Sequence, residues 1–169
     1  NGYNMYLVSL PVITLSGVLI LFLERWMPYE KDWIKGKGDW NLDLTYYIIN
    51  YCIKLTAQYL LILLAQSISF FNWFPKEQPF WLQVILALTI IDFFLFFVHL
   101  QSHKYKFLWN LHAIHHSSER LYFLNGDKRH ALHQLIEGGP GIIVCMVIGT
   151  PPVVIITALA LLAVNMFMQ

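Results

Sequence analysis

Long uncharged runs alternate with short polar segments along this chain. Met5–Leu23 and Phe80–Val98 are almost wholly apolar, and the second contains a single acid, Asp92. Between them, Leu55–Phe74 is uncharged and follows directly after Lys54. Because an α-helix rises about 1.5 Å per residue, about 20 such residues cross a hydrocarbon core of about 30 Å. The pattern therefore predicts three membrane-crossing helices.

The last 32 residues are also uncharged, and Pro151-Pro152 divides them. Gly141–Gly149 is too short to cross a bilayer alone, and Val153–Met168 is barely long enough. We expect a helical hairpin that dips into the bilayer and returns, with a single kinked span as the alternative. Strand patterns are absent from the sequence, and open sheet edges are not viable in lipid. The predicted fold class is all-α: one integral membrane helical bundle over residues 1–169.

The segment at about 24–43 mixes charge with tryptophan, which is typical of an interfacial loop or an amphipathic stretch. It contains four basic residues and three tryptophans: Arg25, Lys31, Lys35, Lys37, Trp26, Trp33 and Trp40. Three crossings would place this loop on the same side as the residues after Val98. Most lysines and arginines lie on that side, so the positive-inside rule predicts that it faces the cytoplasm, at a bacterial inner membrane or the endoplasmic reticulum.

The composition favours a membrane protein. Hydrophobic residues make up 57% of the chain and charged residues 12%, whereas soluble domains average about 25% charged residues. The formal net charge of +1 gives no indication of a nucleic-acid partner. The chain begins at Asn1 without a signal peptide and stops at Gln169 inside an apolar run, so we expect a domain truncated at both ends.

All 7 histidines lie within residues 99–133, the segment that we call the histidine boxes. Their spacing is His99-x3-His103, His112-x2-His115-His116 and His130-x2-His133. Residues three and four apart share a helix face, with Cβ atoms about 5–6 Å apart. Crowded imidazoles repel one another when protonated and need partners when buried, and a metal ion binds their neutral form. The spacing therefore predicts a metal site with several histidine ligands.

The spacing leaves the identity of the metal open. Leu100-Gln101-Ser102 stands between the first two histidines, so the glutamate of an HExxH zinc protease is missing. No cysteine is near in the sequence for structural zinc or an iron–sulfur cluster, and haem would need only two axial histidines. Imidazole suits iron, zinc and copper alike. We expect a multi-histidine site for more than one ion.

Two stretches around the histidines carry a family signature. They are Asp92-Phe93-x5-His99-x3-His103 and Phe107-Leu108-Trp109-x2-His112-Ala113-Ile114-His115-His116. Both resemble the membrane fatty acid hydroxylase/sterol desaturase superfamily. The resemblance implies two non-haem iron ions that, with O2 as co-substrate, hydroxylate or desaturate a C–H bond of a sterol, fatty acyl or ether lipid. It also implies a separate electron donor, either cytochrome b5-like or ferredoxin-like.

The resemblance assigns roles to the histidines, and the residues themselves suggest alternative roles for Asp92 and Asn125. The implied metal ligands are His99, His103, His112, His115 and His116, with His130 as a sixth, weaker candidate. His133 is expected on a helix surface instead. Asp92 would hydrogen-bond a ligand histidine or pair with a basic residue. Asn125 would cap a turn or support the ligands.

The superfamily has a third histidine box further along, and this chain stops before it. We therefore expect the 169 residues alone to form an incomplete, inactive site. Two other classes of protein stay open. A membrane metal-binding or metal-transport protein would need polar groups along a transmembrane path, where the predicted second and third helices offer only Lys54 and Asp92. A non-catalytic membrane scaffold would purify without metal.

Overall fold

The structure, a computed structural model, describes residues 2–35, 38–64 and 70–167. These residues form helices and no strand, which confirms the all-α prediction for the described part of the chain. The α-helices are α1 (Gly2–Trp26), α2 (Lys31–Ile34), α3 (Trp40–Leu64), α4 (Phe80–Ser102), α5 (Lys106–His112), α6 (Phe123–Gly126), α7 (Ala131–Val147) and α8 (Pro152–Phe167), and a 3₁₀ helix covers His115–Ser117.

Helix α4 follows the predicted third crossing closely. Within the described residues, it is the one helix whose length and composition would suffice to cross a membrane, with a mean hydropathy of 2.3 over its most apolar stretch. Only 28% of that stretch is buried inside the protein, so most of its apolar surface is free to face lipid. The other two predicted crossings, in α1 and α3, stay predictions.

The second predicted helix is wrong in its bounds. Helix α3 begins at Trp40 and ends at Leu64, whereas the prediction covered Leu55–Phe74. Residues 70–74 are non-helical because their backbone pairs with the end of α7 instead. The N–H groups of Phe71 and Phe74 donate to the carbonyls of Val147 and Ile148 at 3.0 Å each. Residues 65–69 of the prediction lie outside the described part of the chain.

A tight turn separates α7 from α8. Gly149 has a φ of 86°, in the left-handed region that glycine tolerates best. The N–H of Thr150 donates to the Cys145 carbonyl at 2.9 Å, which closes the helix end. Ile142 of α7 and Leu159 of α8 line the same cavity, so the chain doubles back after the turn. This reversal fits the expected hairpin better than a single kinked span, and the depth of the hairpin in a bilayer stays a prediction.

The core lies where α4, α7 and α8 meet. Ala87, Ile91, Cys145, Ile155 and Ala158 are almost completely buried there. Gly141 allows α7 to approach α4 closely, because a Cβ at this position would lie 2.7 Å from the Ile91 Cα. His99 lies about two turns beyond Ile91, and Glu137 lies about one turn before Gly141. The glycine contact therefore brings the end of α4 against the start of α7.

Ion pairs attach the 24–43 segment to residues 120–129. Arg120 donates to the Asp39 carboxylate and to the Trp33 carbonyl, both at 2.6 Å in their shortest contacts. Asp43 is fully buried and pairs with Lys128 at 2.9 Å. The interfacial segment and the histidine boxes thus share one end of the bundle, as expected from the sequence. That this end faces the cytoplasm stays a prediction.

Candidate metal centre

Four histidines from consecutive elements converge at the end of α4. His99 lies in the last turn of α4, His103 caps that helix, and His112 ends α5. The 3₁₀ helix that follows contributes His116. The Nε2 atoms of successive partners are 3.3 Å apart for His99 and His103, 3.3 Å for His103 and His112, and 3.0 Å for His112 and His116. All four donor atoms lie within 4.8 Å of one another.

This arrangement fits a metal ion. Two nitrogens bound to one ion at about 2.1 Å lie about 3–3.5 Å apart, which matches the spacing of these Nε2 atoms. Burial and the neighbouring histidines lower the pKa of His112 to about 3. Burial also lowers the pKa of His116. Both rings are therefore neutral at physiological pH, the form that binds metal.

His115 lies beside this group without joining it. Its ring centroid is 5.6 Å from that of His112 and 6.3 Å from that of His99. Burial, and next the nearby Arg129 guanidinium, lower its pKa to about 4. Its Nδ1 atom is buried and has no hydrogen-bond partner among the described residues. His115 therefore offers a neutral ring at the edge of the cluster.

A second possible ligand group adjoins the first and is fully buried. His112, His133 and Glu137 each offer a donor atom within 4.8 Å of the other two. His133 is 0% exposed, so the expectation that it lies on a helix surface is wrong. His133 and Glu137 are four residues apart on α7, and the contact of α7 with α4 turns both of them inward. Two histidines with one carboxylate form a ligand set that non-haem iron enzymes use.

The hydrogen bonds of Ser102 determine the tautomer of His133. The Ser102 hydroxyl donates its single proton to the Val98 carbonyl at 2.8 Å. His133 Nε2, at 2.9 Å from the same hydroxyl oxygen, must therefore carry a proton and donate it. The other ring nitrogen, Nδ1, keeps its lone pair and lies 3.8 Å from the Glu137 carboxylate. This buried lone pair is available to a metal ion.

Glu137 is the site residue that the sequence analysis missed. It is 1% exposed, and its Oε1 lies 2.9 Å from His99 Nδ1. Its Oε2 accepts from Arg129 Nη1 at 2.5 Å. The available signal was the His133-x3-Glu137 spacing, directly before the uncharged run that begins at Gly138. It went unused because His133 was assigned to the surface.

Three predicted site residues lie apart from both groups. His130 caps α7, and its Nδ1 accepts from the Leu132 N–H at 3.2 Å. Asp92 is exposed on α4, about two turns before His99. Asn125 is buried, and its side chain accepts from the Tyr122 N–H and donates to the Arg120 carbonyl. It supports a turn, in line with one of its two predicted roles.

An apolar cavity of about 170 Å³ is lined in part by Glu137. Its wall is mostly aliphatic, and polar groups are contributed by Lys54, Arg129, Gln134 and Glu137. Gly138 and Gly139 also line it, and a Cβ added at either would meet nothing within 4 Å. The cavity has room for a hydrocarbon segment beside Glu137, the residue that contacts His99.

Comparisons with known proteins identify the family of the segment that contains the histidines. A model of the fatty acid hydroxylase family matches residues 84–169, which include every histidine. The ornithine lipid hydroxylase of Rhizobium tropici is 32% identical over 158 residues, covering 88% of this chain and 48% of that protein. A putative Delta(7)-sterol-C5(6)-desaturase of Arabidopsis thaliana is 31% identical over 100 residues, covering 57% of this chain and 33% of that protein. The chain thus spans half or less of these relatives, and no solved structure matches it.

Proposed function

Because the chain belongs to the fatty acid hydroxylase family, we propose that it forms the metal centre of a membrane enzyme that hydroxylates or desaturates a lipid C–H bond. The proposed cofactor is a pair of non-haem iron ions, with O2 as co-substrate. The observation that carries this proposal is the convergence of four histidine Nε2 atoms within 4.8 Å at the end of an apolar helix.

Two adjacent positions would hold the metal ions. His99, His103, His112 and His116 would form the first, and His133, whose buried Nδ1 has no hydrogen-bond partner among the described residues, would contribute to the second, with His115 beside both. Bound iron would supply the redox chemistry with O2, which no side chain can provide. The chain's own residues keep the imidazoles neutral, orient them and exclude water, since His112, His133 and Glu137 are almost completely buried.

The cavity beside Glu137 is the proposed place for the apolar part of the lipid. Its aliphatic wall suits a hydrocarbon segment, and the open space over Gly138 and Gly139 keeps it accessible. The named relatives act, by their names, on an ornithine lipid and on a sterol. Both substrates carry long apolar segments. Identification of the oxidised product distinguishes them from fatty acyl and ether lipids.

We also propose an integral membrane location and a separate electron donor. Helix α4 presents its apolar surface outward, which supports the membrane. The proposed donor is cytochrome b5-like or ferredoxin-like. The alternative of metal transport has weaker support, since the one charged residue of α4, Asp92, is exposed and marks no polar path inside the bundle.

The test uses full-length protein purified from iron-supplemented cells. We expect bound iron and O2-dependent formation of an oxidised lipid, identified by mass spectrometry, when a reductant system is supplied. Replacing His112 and His116 together by Ala should abolish both, because it removes two of the four converging nitrogens. An exposed pair on the same side, Lys104→Ala with Lys106→Ala, is the matched control. Lipid oxidation that survives the double histidine change would overturn the proposal, and metal flux without oxidation would favour transport.

A further inference from the structure

The carboxylate of Glu137 contacts the histidine cluster. Its two oxygens have different partners: Oε1 lies 2.9 Å from His99 Nδ1, and Oε2 accepts from Arg129 at 2.5 Å. Glu137 is 1% exposed and Arg129 is 7% exposed, so this contact is shielded from water. A buried carboxylate needs such a partner, and Arg129, which can only donate, makes Glu137 Oε2 a hydrogen-bond acceptor.

The contact with Glu137 determines which nitrogen of His99 carries the proton. A carboxylate can only accept, so His99 Nδ1 must donate to Glu137 Oε1. A neutral imidazole has one N–H, which leaves the lone pair on His99 Nε2. That Nε2 atom is the one that lies 3.3 Å from His103 Nε2, inside the four-histidine group. The hydrogen bond therefore directs the lone pair of His99 toward the candidate metal position.

We propose that Glu137 is a positioning residue for the metal centre: held by Arg129, it keeps His99 in the one tautomer whose Nε2 can bind a metal ion. This inference rests on the proposed function, because it presupposes that the four histidines bind metal. A primary role as metal ligand fits Glu137 less well. Both of its oxygens already accept a hydrogen bond, and the guanidinium next to Oε2 repels a second cation.

The test is Co²⁺ binding to the metal-free, full-length protein in detergent, which needs neither substrate nor turnover. Removing an acceptor that orients a ligand histidine typically weakens metal binding by about 10–100-fold, and we expect a loss of this size for Glu137→Ala. Glu137→Gln should fall between that variant and the native protein, because its amide oxygen can still accept from His99 Nδ1. The exposed Glu77→Ala and Glu77→Gln are matched controls and should bind Co²⁺ like the native protein.

Two further measurements separate positioning from the other roles that Glu137 could have. The absorption spectrum of bound Co²⁺ reports its ligands, and we expect it to keep its shape in Glu137→Gln. Thermal unfolding of the metal-free variants reports stability, and we expect the difference in Co²⁺ affinity between the two variants to exceed any difference in their melting temperatures.

Four outcomes would overturn the inference. If Glu137→Ala binds Co²⁺ with the affinity of the native protein, then Glu137 does not position a ligand. A changed Co²⁺ spectrum in Glu137→Gln makes the carboxylate a direct ligand. If both variants lose the same Co²⁺ affinity, and the loss parallels a fall in their melting temperatures, then the role of Glu137 is purely structural. A native protein that binds no metal refutes the proposed function itself, and the inference falls with it, which distinguishes that failure from the first three.

Discussion

The two ends of α4 have opposite surroundings. Near Phe80 the helix packs among apolar side chains, including Phe74 and Met146, and nearby backbone N–H groups bond to the carbonyls that end α7. About 28 Å away along the helix, near His99, the neighbours are histidines and buried charges. The buried ionic side chains of the described residues gather at this second end: Asp43, Arg120, Lys128, Arg129 and Glu137.

The difference shows which forces assemble each end. The apolar end is held by burial of hydrocarbon surface, which is non-directional and tolerates modest changes of side chain. The histidine end is held by ion pairs whose members each lose hydration. A buried pair stabilises little relative to apolar packing, but removing one partner leaves the other charge unpaired and is strongly destabilising. Single substitutions should therefore cost more at the histidine end, provided that they break a pair.

Asp43 gives the largest expected effect. It is fully buried, pairs with Lys128 at 2.9 Å and accepts from the Tyr122 hydroxyl at 2.8 Å. Asp43→Ala should destabilise the protein by about 3–5 kcal/mol, because it leaves a buried ammonium without a partner. The measurement is thermal or denaturant unfolding in detergent.

An exposed acid provides the control for Asp43. Asp32 pairs with Lys35 at 2.6 Å on the surface, and both side chains are more than 70% exposed. Asp32→Ala should leave the unfolding transition unchanged, since solvent screens such pairs. Equal effects of the two substitutions would contradict the view that burial makes the ion pairs of the histidine end costly to break.

Gly141 tests whether the apolar contact controls the geometry of the histidine end. A Cβ added there would lie 2.7 Å from the Ile91 Cα, so Gly141→Ala must push α7 away from α4. Overpacking of this kind costs about 1–3 kcal/mol. Because Glu137 lies one turn away, we also expect weaker metal binding, measured by Co²⁺ titration. Gly138→Ala, which meets open space, should show neither effect, and native metal affinity in Gly141→Ala would show that the two ends are independent.

The apolar half of the architecture was largely visible in the sequence. The start of α4 at Phe80 and the break before α8 at Pro151-Pro152 follow from hydropathy and proline positions alone. The spacing of the histidines predicted one shared helix face for each set, and this is wrong for the second set, because His112 ends α5 and His116 lies in the 3₁₀ helix that follows. The second predicted helix failed because the backbone of residues 70–74 pairs with Ile148, a partner more than 70 positions away that no local pattern reveals.

The buried half of the candidate site was hidden for the same reason. Glu137 and His133 acquire their roles from partners on α4: His99 for the acid and Ser102 for the histidine. Both contacts depend on the close approach of α7 to α4 at Gly141, a tertiary contact that the local sequence does not reveal. When its tertiary neighbours are unknown, a histidine near the start of a helix is expected to be exposed. An acid directly before an apolar run is likewise expected to mark the end of a polar segment.

His130 gives the smallest expected effect and separates a helix cap from a metal ligand. Its Nδ1 accepts from the Leu132 N–H at 3.2 Å, and it belongs to neither ligand group. His130→Ala should cost about 1 kcal/mol, as for the loss of other N-caps, and should leave Co²⁺ affinity unchanged. His130→Asp restores a good capping residue and should recover the lost stability. If His130→Ala instead weakens Co²⁺ binding tenfold or more while His130→Asp restores the unfolding temperature, then His130 is a ligand, and the histidine end extends beyond the two groups that the structure brings together.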